Sequence, residues 1–226
     1  MVRAIEPEDA AVFWDGRYAQ ARLYGTEPTS VARELARLFH QEQVTTVLDA
    51  GCGSGRDALF YASEGFTVTG LDISAHALRW AREEAADTGV PIALIAGDLL
   101  ASNLAPGSFD AVVAIHLVHL QPEPGRRAMV NRLWSLARDG GLIAMANYAT
   151  DETGFTTWES YPEHNTRVDP KGKLVHFFDA DDIAALLPSD RFQLLACEVV
   201  DLTEVPDAGA VTHREWLTVA RKIRAC

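Results

Sequence analysis

The chain has 226 residues, with 20 Lys+Arg against 32 Asp+Glu and a formal net charge of −12. That balance argues against a partner made of nucleic-acid phosphates or anionic lipid headgroups, and no apolar run approaches the roughly 18 residues that span a bilayer. A content of 48% hydrophobic and 23% charged residues is that of a globular chain long enough to bury a core without disulfide or metal staples.

The first forty residues read as helix and loop. Met1–Asp9 is acidic and lacks the apolar core of a signal peptide. Ser30 is the expected cap of a helix with Val31, Leu35, Leu38 and Phe39 on one face. Val44–Asp49 reads as a buried strand, Gly51–Gly55 as a tight turn, and Arg56 to about Glu64 as a helix. Phe66–Asp72 is a second strand. Ser74 caps the next helix and Gly89 ends it. Ile92–Ala96 is a third strand, and Phe109–Ile115 a fourth, apolar enough to be covered on both faces. Ala128–Arg138 reads as a helix with Val130, Leu133, Trp134 and Ala137 on one side, and Leu142–Tyr148 as a fifth strand. Residues 150–175 show no clear period, and so long a loop in a compact domain is expected to be a functional lid. Asp179 caps a last helix carrying Ile183, Leu186 and Leu187, stopped by Pro188; Phe192–Leu202 and His213–Ala220 are the final strands. Strands alternating with helices predict a doubly wound, mostly parallel α/β sheet with helices on both faces. The expected organisation is one domain over 1–226, with 1–43 as a helical cap and 150–177 as a lid. Cys52, Cys197 and Cys226, lacking paired or zinc-like spacing, fit a reducing, cytoplasmic compartment and no metal.

Chemistry concentrates in Asp49-Ala50-Gly51-Cys52-Gly53-Ser54-Gly55-Arg56, at the carboxyl end of the first strand, where doubly wound folds bind nucleotides. A dinucleotide fingerprint needs G-x-G-x-x-G, but here the third position is Arg56, and Asp49 would repel a pyrophosphate. An acid there suits a ligand with a cationic end, such as S-adenosylmethionine. Asp72, ending the second strand, can accept from ribose hydroxyls, a feature that NAD would also use. Asp98, after the third strand, can accept from an adenine amino group, with Ile73 and Leu99 sandwiching the ring.

This set resembles the class I S-adenosylmethionine-dependent methyltransferases from about Val44 to Tyr148, including Leu136-Ala137-Arg138-Asp139-Gly140-Gly141-Leu142 before the fifth strand. The resemblance implies a three-layer α/β/α fold with a seven-stranded sheet in the order 3-2-1-4-5-7-6, strand seven antiparallel. It implies S-adenosyl-L-methionine as cofactor and a small-molecule methyl acceptor. Phe13–Tyr18, Tyr24–Pro28 and Arg214–Lys222 are similar to the tellurite-resistance and thiopurine methyltransferase-like branch, although Thr203-Glu204 stand where some of its members carry a His-Arg pair. After the fourth strand, Ile115-His116-Leu117-Val118-His119-Leu120 replaces the Asn/Asp-Pro-Pro-Tyr/Phe of amino-methylating DNA enzymes. The expected cofactor contacts are Asp49, Gly51, Cys52, Gly53, Gly55, Asp72, Ile73, Asp98, Leu99, Ile115, Trp14 and Arg17. His116, His119 and Tyr18 are the candidate catalytic groups, His being suited to act as a base. Tyr148, Trp158, Tyr161 and His176 are the candidate acceptor-pocket residues. The rival readings are a non-catalytic adenosylmethionine-binding sensor or scaffold, and an NAD-dependent oxidoreductase.

Overall fold

The computed structural model describes residues 4, 5, 9–204 and 211–223. Most of the segment Met1–Asp9 lies outside them, as does Cys226. Helix α1 (Ala10–Gln20) is followed by α2 (Ser30–Gln41). The cap of α2 is Thr29, not Ser30. Thr29 is extended, and its hydroxyl accepts the Ala32 N–H at 2.9 Å, which makes Ser30 the first helical residue. Then come β1 (Thr46–Ala50), α3 (Arg56–Ser63), β2 (Thr67–Asp72), α4 (Ala75–Thr88), β3 (Ala93–Ala96), β4 (Phe109–Ile115), α5 (Gly125–Leu136) and β5 (Ala137–Tyr148). Ser74 caps α4 through the Ala77 N–H, and Gly89 closes it at φ 71°. Helix α5 starts three residues before the expected Ala128, and Ala137 belongs to β5, where it pairs with Phe109 of β4.

The segment expected to be an aperiodic lid is ordered into α6 (Thr153–Thr157) and three short antiparallel strands, β6 (Glu159–Ser160), β7 (Thr166–Val168) and β8 (Leu174–His176). Helix α7 (Ala180–Leu186) opens on a capping box in which Asp179 and Asp182 each accept the other's backbone N–H. Strands β9 (Phe192–Glu204) and β10 (Val211–Lys222) end the described chain.

The large sheet runs β3-β2-β1-β4-β5-β10-β9, and β10 runs antiparallel to β5 and β9 on either side of it. With β9 and β10 as its sixth and seventh strands this is the expected order. One sheet face packs Val31, Leu35 and Phe39 of α2 and Tyr61 of α3 on Val47, Val113 and Ala144. The other packs Leu133 and Leu136 of α5 on Leu48, Val112 and Ile143. A partly exposed acid ties β1 to β4: Asp110 accepts the N–H and hydroxyl groups of both Thr45 and Thr46, and pairs with Arg138. The strand order reverses at β1 and β4, which opens a crevice at their carboxyl ends. No helix among the described residues is long and apolar enough to cross a membrane.

Candidate active site

The glycine turn after β1 is pinned by the end of β2. The N–H groups of Gly51 and Cys52 both donate to the Leu71 carbonyl, at 2.7 and 3.1 Å. The Asp72 carboxylate accepts the Gly53 N–H and the Ser74 N–H, each at 2.8 Å. Asp49 is 4% exposed at the end of β1. Asp57, in the first turn of α3, accepts the Thr29 N–H at 2.8 Å and its hydroxyl at 3.1 Å. Burial, with Asp57 and Asp72 close by, pushes the Asp49 carboxyl well above the usual carboxylate range, and Arg56 opposes this. Burial also raises Asp72. Three acidic side chains thus meet in one cavity at low exposure, where an arriving cation would favour their charged forms. The residues fit a ligand bearing ammonium and sulfonium charges.

Helix α1 and the loop after it cover this end with Phe13, Trp14, Tyr18, Leu23 and Tyr24. A Cβ built on Gly53, at φ +55°, would lie 2.5 Å from the Tyr18 hydroxyl, so the turn has room for no side chain there. This contact places Tyr18 against the glycine turn, in the same cavity that His116 and His119 line. Ile73, Asp98 and Leu99 line the cavity; Leu99 is buried, and Asp98 is exposed, with one oxygen accepting the Leu100 N–H. Two expected cofactor contacts do not line it. Gly55, at φ +84°, lets α3 start against α4, since a Cβ there would meet that of Ala81 at 2.8 Å. Arg17 lies with its guanidinium over the rings of Trp14 and Phe13, at 5.6 and 5.8 Å.

The far end lies where β4, β5 and β10 meet. His116 follows β4 at φ 56°, a left-handed conformation that costs a non-glycine residue about 1–2 kcal/mol. Its Nε2 is 2.5 Å from a Glu215 carboxylate oxygen. Glu215 is 0% exposed and pairs in register with Tyr148 across β10 and β5. His119, in a 3₁₀ turn (Val118–Leu120), is 1% exposed and stacks on Tyr148 at 4.7 Å between centroids. Burial and the charges around it hold His119 well below the usual imidazole range, hence neutral. Its Nδ1 is buried without a hydrogen-bond partner among the described residues. Ile115, His116, His119 and Tyr148 line the cavity, and so do Lys173 and Leu174.

The other expected acceptor-pocket residues do not line it. His176 is 2% exposed, hydrogen-bonded to the Thr166 hydroxyl at 3.0 Å and close to Asp182, so it fastens the small sheet to α7. Trp158 packs edge-on against Phe177, and Tyr161 sits in the turn between β6 and β7. Glu215, Lys173, Tyr24, Arg56 and Asp57 went unforeseen. Only Arg56-Asp57 had a local signal, being a charged pair opening the helix after the glycines.

Residues 47–141 match the family model of a methyltransferase domain. Those residues form a methyltransferase domain. A ubiquinone biosynthesis O-methyltransferase of Xanthomonas axonopodis pv. citri is 28% identical over 214 residues, 92% of this chain and 82% of the relative. Among solved structures, one described as showing conversion of a disulfide bond into a thioacetal group during echinomycin biosynthesis matches with a TM-score of 0.75 at 22% identity, covering 95% of this chain and 92% of that one. A Burkholderia thailandensis 1,6-didemethyltoxoflavin-N1-methyltransferase, with that compound and S-adenosylhomocysteine bound, matches at 0.69 with 19% identity over 99% and 93%. At these identities the structural matches speak for the methyltransferase fold.

Proposed function

We propose that the methyltransferase uses this cavity to transfer the methyl group of S-adenosylmethionine to a hydroxyl oxygen of a small, flat acceptor. When bound, the cofactor supplies a methyl carbon already activated by a positive sulfur. The protein's task is then placement and exclusion of water. In this reading Asp72 takes the ribose hydroxyls, Ile73 and Leu99 flank the adenine, Asp98 accepts from its amino group, and Asp49 with the turn at Gly51–Gly53 faces the amino-acid end. Ile115, His116, His119 and Tyr148 surround the reacting end. Residues 9–43 cap the cofactor, and 150–177 close the acceptor side through Lys173 and Leu174.

The observation that carries the reading is the convergence of Asp49, Asp57 and Asp72 on one cavity at the strand-order reversal. The O-methyltransferase relative favours oxygen as the acceptor atom. The test is to mix the purified protein and tritiated S-adenosylmethionine with shape-matched phenols, thiols and amines. Labelled methyl on phenols is the expected result. Tight cofactor retention with no transfer to any nucleophile would instead favour a sensor.

A further inference from the structure

We propose that the acceptor carries a carboxylate in addition to the group that is methylated, and that Lys173 is the residue that selects it. This rests on the methyl-transfer reading above and adds a negative charge to the flat acceptor.

The cavity is divided by charge. Its described lining includes Asp49, Asp57, Asp72 and Asp98, and all of these belong to the cofactor end: at the close of β1, in the first turn of α3, at the close of β2 and just after β3. Arg56, the cation of that end, opens α3 beside Asp57. At the other end the lining brings Lys173 together with His116, His119 and Tyr148, and no described Asp or Glu lines it there. The carboxylates that stand behind this end hold protein groups. Glu215 meets His116 Nε2, and Glu152 accepts the Arg214 N–H at 2.8 Å and faces His213. Asp169 accepts the N–H groups of Lys171 and Lys173, each at 2.8 Å.

The turn between β7 and β8 fixes the lysine in place. The Asp169 N–H donates to the Lys173 carbonyl and the Gly172 N–H to the Asp169 carbonyl, both at 2.9 Å, with Gly172 at φ 88°. The Gly172 carbonyl also accepts the Ile5 N–H at 2.9 Å, which ties the turn to the N-terminal arm. Lysine usually keeps its ammonium in water. The Lys173 side chain is instead 13% exposed, with its Nζ 5.9 Å from the Tyr148 ring centroid, 5.7 Å from that of Trp158 and 4.0 Å from an Asp169 oxygen. An ammonium has several N–H donors, so it can keep its protein contacts and still hold an anion.

Tyr148 connects this charge to the reacting end. Its ring stacks on His119 at 4.7 Å and lies 5.3 Å from His116. A flat acceptor lying along these rings can set its hydroxyl among the histidines and its carboxylate at Lys173. The carboxylate gives up hydration on entry, and the ammonium offsets that loss with a charge-assisted hydrogen bond that a neutral group of the same shape cannot match. The acids of the cofactor end repel the same carboxylate, so the two ends sort a cationic cofactor from an anionic acceptor.

The test compares meta- and para-hydroxybenzoate with the matching hydroxybenzamides. Each is titrated calorimetrically into protein loaded with S-adenosylhomocysteine, then offered as an acceptor with S-adenosylmethionine. The parent protein should bind at least one of the acids about tenfold or more tightly than its amide, and show the same preference in kcat/KM, mainly through KM. Lys173→Met keeps the apolar stem and removes the charge; it should shrink the preference to about twofold or less, with Lys173→Arg restoring part of it. Should Lys173→Met fail to fold in melting curves, Lys173→Gln takes its place. A purely structural role for Lys173 would weaken acid and amide alike and leave their ratio unchanged. Amides bound as well as acids by the parent, neither acid binding the loaded protein, or a preference that survives Lys173→Met would each overturn the inference. Failure of the parent to bind S-adenosylhomocysteine would instead remove the methyl-transfer reading. Lys173-dependent transfer to mercaptobenzoates in place of hydroxybenzoates would uphold the inference and overturn oxygen as the acceptor atom.

Discussion

Gly53 and Asp49 show how little freedom the cofactor end has. At Gly53 a methyl group meets two separate objections, a φ of +55° and the Tyr18 hydroxyl 2.5 Å from the new atom. Gly53→Ala should therefore lower stability by roughly 1–2 kcal/mol from the backbone alone, and more from the clash. Adding Tyr18→Phe should return only the second part, as read by urea unfolding; full recovery would mean the backbone carries no strain. Asp49 makes a different prediction. Its carboxyl is pushed upward by burial and by its acidic neighbours, so the neutral form is favoured until a cation arrives. Binding a cation then expels a proton, and affinity for S-adenosylmethionine should strengthen as pH rises. Calorimetry in buffers of different ionisation enthalpy reads this directly, and proton uptake on binding would contradict it.

Among the elements, α1 is held to α4 by a small polar clasp. Asp15 accepts the His76 N–H and the Ser74 hydroxyl, each at 2.9 Å, and its other oxygen meets the His76 ring at 2.8 Å. The Trp80 indole N–H donates to the Tyr18 carbonyl. These bonds lower the Asp15 carboxyl to about 2. An acid depressed in the folded state stabilises above its unfolded value and loses that contribution as pH falls through the folded one, here between about pH 4 and 2. Asp15→Ala should speed amide exchange in α1 and weaken cofactor affinity, while exchange in β4 and β5 stays slow. At the opposite end of the sheet, Asp110→Ala removes the acceptor shared by Thr45 and Thr46 and should cost about 2–3 kcal/mol in urea unfolding. The parent protein's stability should decline as pH falls below about 4, because the same bonds hold the Asp110 carboxyl below its usual range. The strands from β1 to β5 were legible because β-branched and apolar runs are bounded by Gly, Asp and Ser. Adjacent hydroxyls blurred the α2 start, since Thr29 and Ser30 are equally good caps on paper and only the extended backbone at Thr29 chooses. Strands β6, β7 and β8 are two or three residues long, too short for a period to show.

At the scale of the whole molecule, what could be foreseen divides by distance along the chain. The glycine turn, Asp72 and Asp98 follow three consecutive strands, so local motifs locate them at one sheet edge. Glu215 and Lys173 reach the cavity region only through the antiparallel last strand and the small sheet, and nothing in their neighbourhood announces it. Trp158 and His176, expected in the acceptor pocket, instead meet Phe177 and Asp182 of the α7 cap. The electrostatic account depends most on Asp72, which joins the glycine turn to the cap of α4 and faces the cavity. Calorimetric titration of S-adenosylmethionine and, separately, NADH into the parent protein and Asp72→Ala, with melting curves to confirm folding, tests it most directly. The parent should bind S-adenosylmethionine and leave NADH unbound, and the variant should lose at least about tenfold in affinity. Equal binding by a folded variant, or a preference for NADH, would contradict the account.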